Sequence, residues 1–139
     1  MTAIALVVLQ ILRILAWAGA HEQPGQFAWR TAAEFEKAWV ADGGAKENLP
    51  AVDFEKEMVL AVFAGMKNTG GYGITIEKVA TKPGKVYVLY RETAPLPDGM
   101  VTMAITYPSH VVVVPKTAGE VMFVPANSPA GQEILGRLK

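Results

Sequence analysis

Two periods run through the hydrophobic pattern of this chain, and the places where one gives way to the other mark its elements. From Gln10 to Trp17, the residues Ile11, Arg13, Leu15 and Trp17 share one face of an extended chain and Leu12, Ile14 and Ala16 share the other. This alternation predicts a buried or partly buried strand, preceded by a second extended piece over residues 3–8. Two other readings compete over residues 1–20, where Arg13 is the sole charge. A transmembrane helix needs about 20 apolar residues, but an arginine inside it costs roughly 2.5 to 3.5 kcal/mol on insertion scales. A signal peptide would use Ala18-Gly19-Ala20 as its cleavage site, yet no basic residue precedes the apolar run.

Further on, Pro24-Gly25 suits the centre of a type II turn, and residues 26–30 read as a short strand with Phe27 and Trp29 on one side. Helical spacing then appears. Thr31 and Glu34 form a capping box, Phe35, Ala38 and Trp39 make one apolar stripe, and Gly43-Gly44 ends the element. The predicted helix spans residues 32–42. The stretch from Met58 to Ala64 is apolar on both faces, as in a central strand covered on two sides. Alternation resumes at Tyr72, Ile74 and Ile76, and Lys82-Pro83-Gly84 turns the chain into a return strand through Val86, Val88 and Tyr90. Residues 100–107 and the Val111–Val114 run read as strands kinked apart at Pro108, and residues 120–124 as the last one. Ser128-Pro129 can cap a terminal turn of helix through Leu135.

These elements sum to a β-rich α+β domain, an antiparallel sheet or barrel-like roll of about seven or eight strands with one main helix packed on it. Its 139 residues suit a single domain spanning 1–139, which at this length buries about 68% of its unfolded surface. At 51% hydrophobic and 19% charged, it is not the composition of a disordered chain.

Thirteen acids balance thirteen bases, which argues against a nucleic-acid partner, since such binders rely on a basic field. The balance is uneven along the chain. Residues 34–57 hold seven acids and three bases, and residues 58–139 hold five acids and eight bases. With no cysteine there is no disulfide, thiolate nucleophile or cysteine-ligated metal.

Catalytic constellations are scarce. Ser109 and Ser128 are the only serines, and neither lies in G-x-S-x-G. Ser109 adjoins His110, but neighbours on an extended chain face opposite ways. His21 and His110 lack metal-ligand spacing and read more simply as exposed or locally hydrogen-bonded. Glu55, Lys56 and Glu57 look like the polar approach to a buried strand. Gly65 to Gly70 has the outline of a phosphate loop, but Gly71-Tyr72 replaces the Lys-Ser/Thr pair and a strand follows, so no helix N-terminus is available. No cofactor is therefore expected.

What remains is conformational. Asn68-Thr69-Gly70-Gly71-Tyr72 can form a tight turn or a recognition loop, because paired glycines permit positive φ and close approach of another chain. Tyr107, Pro108 and His110 are either a kink between strands or a second binding loop. A hydrolase or small-molecule enzyme of unrecognised type would instead need a pocket with a titratable group beside a polar cluster, such as His110 with Glu92 or Asp98. The apolar N-terminal strand also offers an edge for self-association into a homo-oligomer.

Several segments together resemble the PrcB C-terminal domain family. They are Pro50-Ala51-Val52-Asp53-Phe54, Met58 to Phe63, Lys67-Asn68-Thr69-Gly70-Gly71-Tyr72, Met100-Val101-Thr102, and Thr106-Tyr107-Pro108-Ser109-His110-Val111-Val112. The resemblance covers roughly residues 9–125, with Ser109 standing where the family often has an aromatic residue. It implies a non-catalytic accessory module that binds or stabilises a protease within a bacterial, surface-associated complex. Partner-binding residues would then be Asn68, Thr69, Gly70, Gly71, Tyr72, Tyr107, Pro108 and His110. The resemblance implies export or the cell envelope; without a standard signal peptide, a cytoplasmic location stays open. A more distant analogy, resting on one Thr-Gly loop, is to chagasin-like protease inhibitors.

Overall fold

A computed structural model describes residues 5–138. The elements are β1 (Val7–Leu9), β2 (Arg13–Leu15), β3 (Gly25–Trp29), α1 (Ala32–Ala41), β4 (Glu57–Phe63), β5 (Gly73–Lys82), β6 (Lys85–Thr93), β7 (Ser109–Pro115), β8 (Glu120–Pro125) and α2 (Pro129–Arg137). The strands form two four-stranded sheets, ordered β1-β5-β6-β8 and β2-β7-β4-β3. Pairing is antiparallel throughout except between β6 and β8. The α+β class is as expected, but the sheets form an open roll rather than a closed barrel.

The middle strands β4 and β7 are apolar on both faces because both faces are covered. Met58, Leu60 and Val62 of β4, with Val112 and Val114 of β7, pack against Ile74, Ile76, Val79, Val86 and Val88 of the other sheet. Their alternate residues Val59, Ala61, Phe63, Val111 and Val113 meet Trp29, Phe35, Ala38 and the loop residues Leu49, Val52 and Phe54. Helix α1 thus closes a second core on the outer face of the β2-β7-β4-β3 sheet. Each fully buried Val, Leu, Ile, Met or Phe side chain among these contributes roughly 1.5 to 3 kcal/mol.

The predicted capping box forms in altered detail. Thr31 accepts from the Glu34 N–H, while the Glu34 carboxylate accepts from the Arg30 N–H and the Thr31 hydroxyl. Helix α1 ends at Ala41 with Asp42 as its cap, and Gly43 just beyond it has φ +98°.

Four expectations need correction. The stretch from Gln10 to Trp17 is not one buried strand: β1 and β2 lie on edges of different sheets, and the chain bends between them to pass from one sheet to the other. Ile11 enters the core between the sheets, Leu15 and Trp17 join the helix-side core, and Val7, Val8, Leu12 and Ile14 are exposed. Of the expected earlier piece over residues 3–8, residues 3 and 4 lie outside the described part of the chain. Gly25 has no positive φ and begins β3 instead of completing a type II turn. The positive φ sits opposite, at Gly65 (+85°), where a Cβ would lie 2.9 Å from the Pro24 ring. Residues 100–107 are a loop whose one ladder contact is an isolated bridge from Thr106 to Lys67. The C-terminal turn extends to a nine-residue helix, capped by Ser128 accepting from the Gly131 N–H. Among the described residues no helix is long and apolar enough to cross a membrane.

Candidate functional site

Strand β4 stops where its partners change. The Ala64 N–H donates to the Pro108 carbonyl and the Met66 N–H to the Glu22 carbonyl, which turns the chain out of the sheet. From there the 64–72 loop pairs with the long 94–108 loop that joins β6 to β7. Lys67 and Thr106 exchange two backbone hydrogen bonds of 2.8 and 2.9 Å, the Gly70 N–H donates to the Thr102 carbonyl, and the Thr106 hydroxyl donates to the Thr69 carbonyl.

The two glycines serve this contact. Gly71 has φ +92°, and a Cβ there would lie 2.8 Å from Pro95 and 2.9 Å from Val101. At Gly70 a Cβ would lie 2.4 Å from the Thr102 hydroxyl. A side chain at either position would push the loops apart.

This loop pair brings together Asn68, Thr69, Gly70, Gly71 and Tyr72 and joins them to Thr106, the neighbour of Tyr107 and Pro108. Tyr72 is 38% exposed, with the Lys67 ammonium 5.2 Å from its ring centroid. Tyr107 and Pro108 are half-buried. His110 plays a different part. It is half-buried on β7, and its Nδ1 accepts a 2.9 Å hydrogen bond from the Ile76 N–H on β5. Burial lowers its pKa below the usual histidine value and favours the neutral ring that can accept this bond.

The 94–108 loop also holds residues that sequence reasoning passed over. Leu96 is 76% exposed, Met100 101%, Met103 87% and Ile105 58%, and Met66 stands out from the facing loop. Monomeric surfaces commonly expose single apolar side chains, whereas here five large ones lie on two hydrogen-bonded loops. Methionine suits such a surface because its flexible thioether adapts to a partner's shape. The signal in the sequence is Met100-Val101-Thr102-Met103-Ala104-Ile105, an apolar run between Pro97-Asp98-Gly99 and Pro108 with no second run to pair with.

Among the described residues no three His, Cys, Asp or Glu side chains converge as a metal site would require. The acidic approach to β4 is structural: the Glu57 carboxylate takes a bidentate pair of hydrogen bonds from Arg13, at 2.7 and 2.9 Å, and one from the Asp53 N–H.

No curated protein and no solved structure matches this chain. The family model described as PrcB C-terminal matches residues 58–115, which takes in both loops and leaves Val52-Asp53-Phe54 outside. The stretch from β4 through β7 is therefore similar to the PrcB C-terminal family.

Proposed function

We propose that this protein is a non-catalytic accessory module that docks on a protein partner through its paired 64–72 and 94–108 loops, the partner being a protease or a subunit of a protease complex. The observation that carries the docking reading is the exposure of Leu96, Met100, Met103 and Ile105 on a loop held in place by its bonds to Lys67, Thr69 and Gly70. Such a surface has the makings of an interface core: apolar anchors whose loop is ordered before binding, which lowers the entropy lost on association. The family match favours a protease complex as the setting.

The test is photo-crosslinking in the native cell, with a photoreactive residue at Met103 in one strain and at Lys37, on the outer face of α1, in another. The reading expects a protease or its complex partner crosslinked from position 103 and absent from position 37. Equal labelling from both positions, or a product containing no protease-complex subunit, refutes it.

A further inference from the structure

At the C-terminal end of α1, Asp42 gathers the chain that follows β2. The Trp17 indole N–H donates to its carboxylate at 3.0 Å, and the His21 Nδ1 lies 2.9 and 3.1 Å from its two oxygens. A carboxylate beside Nδ1 places the ring proton there and leaves the Nε2 lone pair free to accept. Among the described residues Nε2 has no hydrogen-bond partner. The imidazole is held as a fixed plane, stacked on Phe63 with centroids 4.3 Å apart and perpendicular to Phe27 at 5.6 Å. It borders a cavity of about 140 Å³ whose other walls include Phe27, Trp29, Ala38 and Phe63. A second hollow of about 400 Å³ shares His21 and Asp42 and continues over Glu22 and Gln23.

We propose that the smaller cavity binds one phenol ring, with the ring's hydroxyl hydrogen-bonded to His21 Nε2. The volume fits, since an apolar cavity of about 150 Å³ takes a single benzene. Phe27 stacks on Trp29 with centroids 5.6 Å apart and Phe63 stacks on His21, so the ligand ring would meet an aromatic cluster that is already assembled, mainly through edge contacts. A charged ligand is poorly served, because the walls are apolar and Asp42 is already engaged by Trp17 and His21. A hydroxyl both donates and accepts, so it pairs with Nε2 in either protonation state of the ring. The cavity lining contains no hydroxyl, thiol or amine nucleophile, so the assignment is binding alone. The phenol can be a free small molecule or the tyrosine side chain of a peptide whose backbone lies in the adjoining hollow. The proposal uses none of the exposed apolar residues of the docking loops, although Phe63 directly precedes the 64–72 loop, and it stands independently of that reading.

The experiment titrates the full chain with p-cresol, toluene and N-acetyl-tyrosinamide, following the Trp29 indole and Ala41 amide resonances by NMR. With p-cresol both resonances should shift, and toluene should bind about tenfold more weakly for want of the hydrogen bond. His21→Phe keeps the stack on Phe63 and should bring the two ligands to equal affinity. Tighter binding of N-acetyl-tyrosinamide identifies a peptide as the source, and equal or weaker binding identifies a free phenol. No shift with p-cresol at roughly 10 mM overturns the proposal, as does equal binding of toluene and p-cresol by the unaltered protein, a comparison that needs no variant to fold.

Discussion

The Ile76 N–H of one sheet donates to the His110 Nδ1 of the other at 2.9 Å, a side-chain bond that ties β5 to β7 where no ladder does. Two features leave Ile76 available. Strand β1 covers β5 only from Val79 to Thr81, and a bulge between Ile76 and Lys78 interrupts the regular register with β6.

The bond requires a neutral imidazole, which sets a sign for the pH dependence. His110 titrates below the usual histidine value because of burial, so the unfolded chain takes up this proton first on acidification. Stability from this site is complete above the ordinary histidine pKa of about 6.5 and declines as pH falls from there toward the lowered folded value. Urea unfolding at pH 7.5, 6.5 and 5.5 should show this decline in the unaltered protein. His110→Phe should lose about 1 to 3 kcal/mol at pH 7.5, since the Ile76 N–H is left without an acceptor, and should show a smaller decline on acidification. His21 is present in both proteins, so the difference between the curves isolates His110.

A second pH window belongs to Arg13 and Glu57. Hydrogen bonds from Arg13, helped by the Asp53 N–H, lower the Glu57 carboxyl from 4.5 to about 2. A depressed carboxyl contributes stability that is whole above its unfolded pKa and is lost as pH falls from about 4.5 to about 2. Arg13→Gln should return Glu57 toward the ordinary carboxylate value in an NMR titration and flatten the acid limb of the stability curve in that interval. An unchanged Glu57 titration would mean that the Asp53 N–H alone holds it down.

Such pairs explain which parts of the fold were legible in the sequence. Strand β4 was legible because burial on both faces leaves a local mark, an unbroken apolar run from Met58 to Ala64. Helix α1 was legible because Thr31, Glu34 and the Phe35-Ala38-Trp39 stripe lie within a few turns of one another. Arg13 looked only like an obstacle to membrane insertion, since Glu57 is 44 residues away and nothing near Arg13 announces it. The parallel pairing of β6 with β8 has no local mark either. Residues 100–105 carry the composition of a strand but lack a strand beside them, so the Thr102 carbonyl accepts from Gly70 and the side chains of Met100, Met103 and Ile105 stay outside. In the candidate site, the Gly70-Gly71 pair was readable as a close approach, but what approaches it was not. The His21–Asp42 pair, separated by 21 residues, was hidden in the same way.

Glycine substitutions separate loop architecture from general tolerance. Gly71→Ala should destabilise by about 1 to 3 kcal/mol, through the positive φ and the collision with Pro95 and Val101. It should also speed amide exchange at Gly70, whose N–H bonds across to Thr102. Gly136→Ala is the counter-case: the site lies in α2 and a Cβ there meets nothing within 4 Å, so about 0.5 to 1 kcal/mol of stabilisation is expected. Chemical denaturation of both variants checks the pair, and equal effects would remove the special role of Gly71.

The docking loop itself is tested by making it polar. Met100 and Met103 are 101% and 87% exposed, so their side chains contribute little to the folded state of the free protein. The Met100→Ser, Met103→Ser double variant should therefore unfold within about 0.5 kcal/mol of the parent per substitution. If the loop is the centre of an interface, the same variant should lose most of its partner, because fully desolvated apolar anchors carry the largest share of binding energy. Tyr72→Ala, at the half-exposed margin of the loop pair, should weaken the partner less and leave the fold intact. Affinity for the crosslinked partner and the denaturation midpoint, measured on the same preparations, check both statements. A large loss of stability in the double variant would show that the 94–108 loop is part of the fold's own packing, and full retention of the partner would move the interface elsewhere on the molecule.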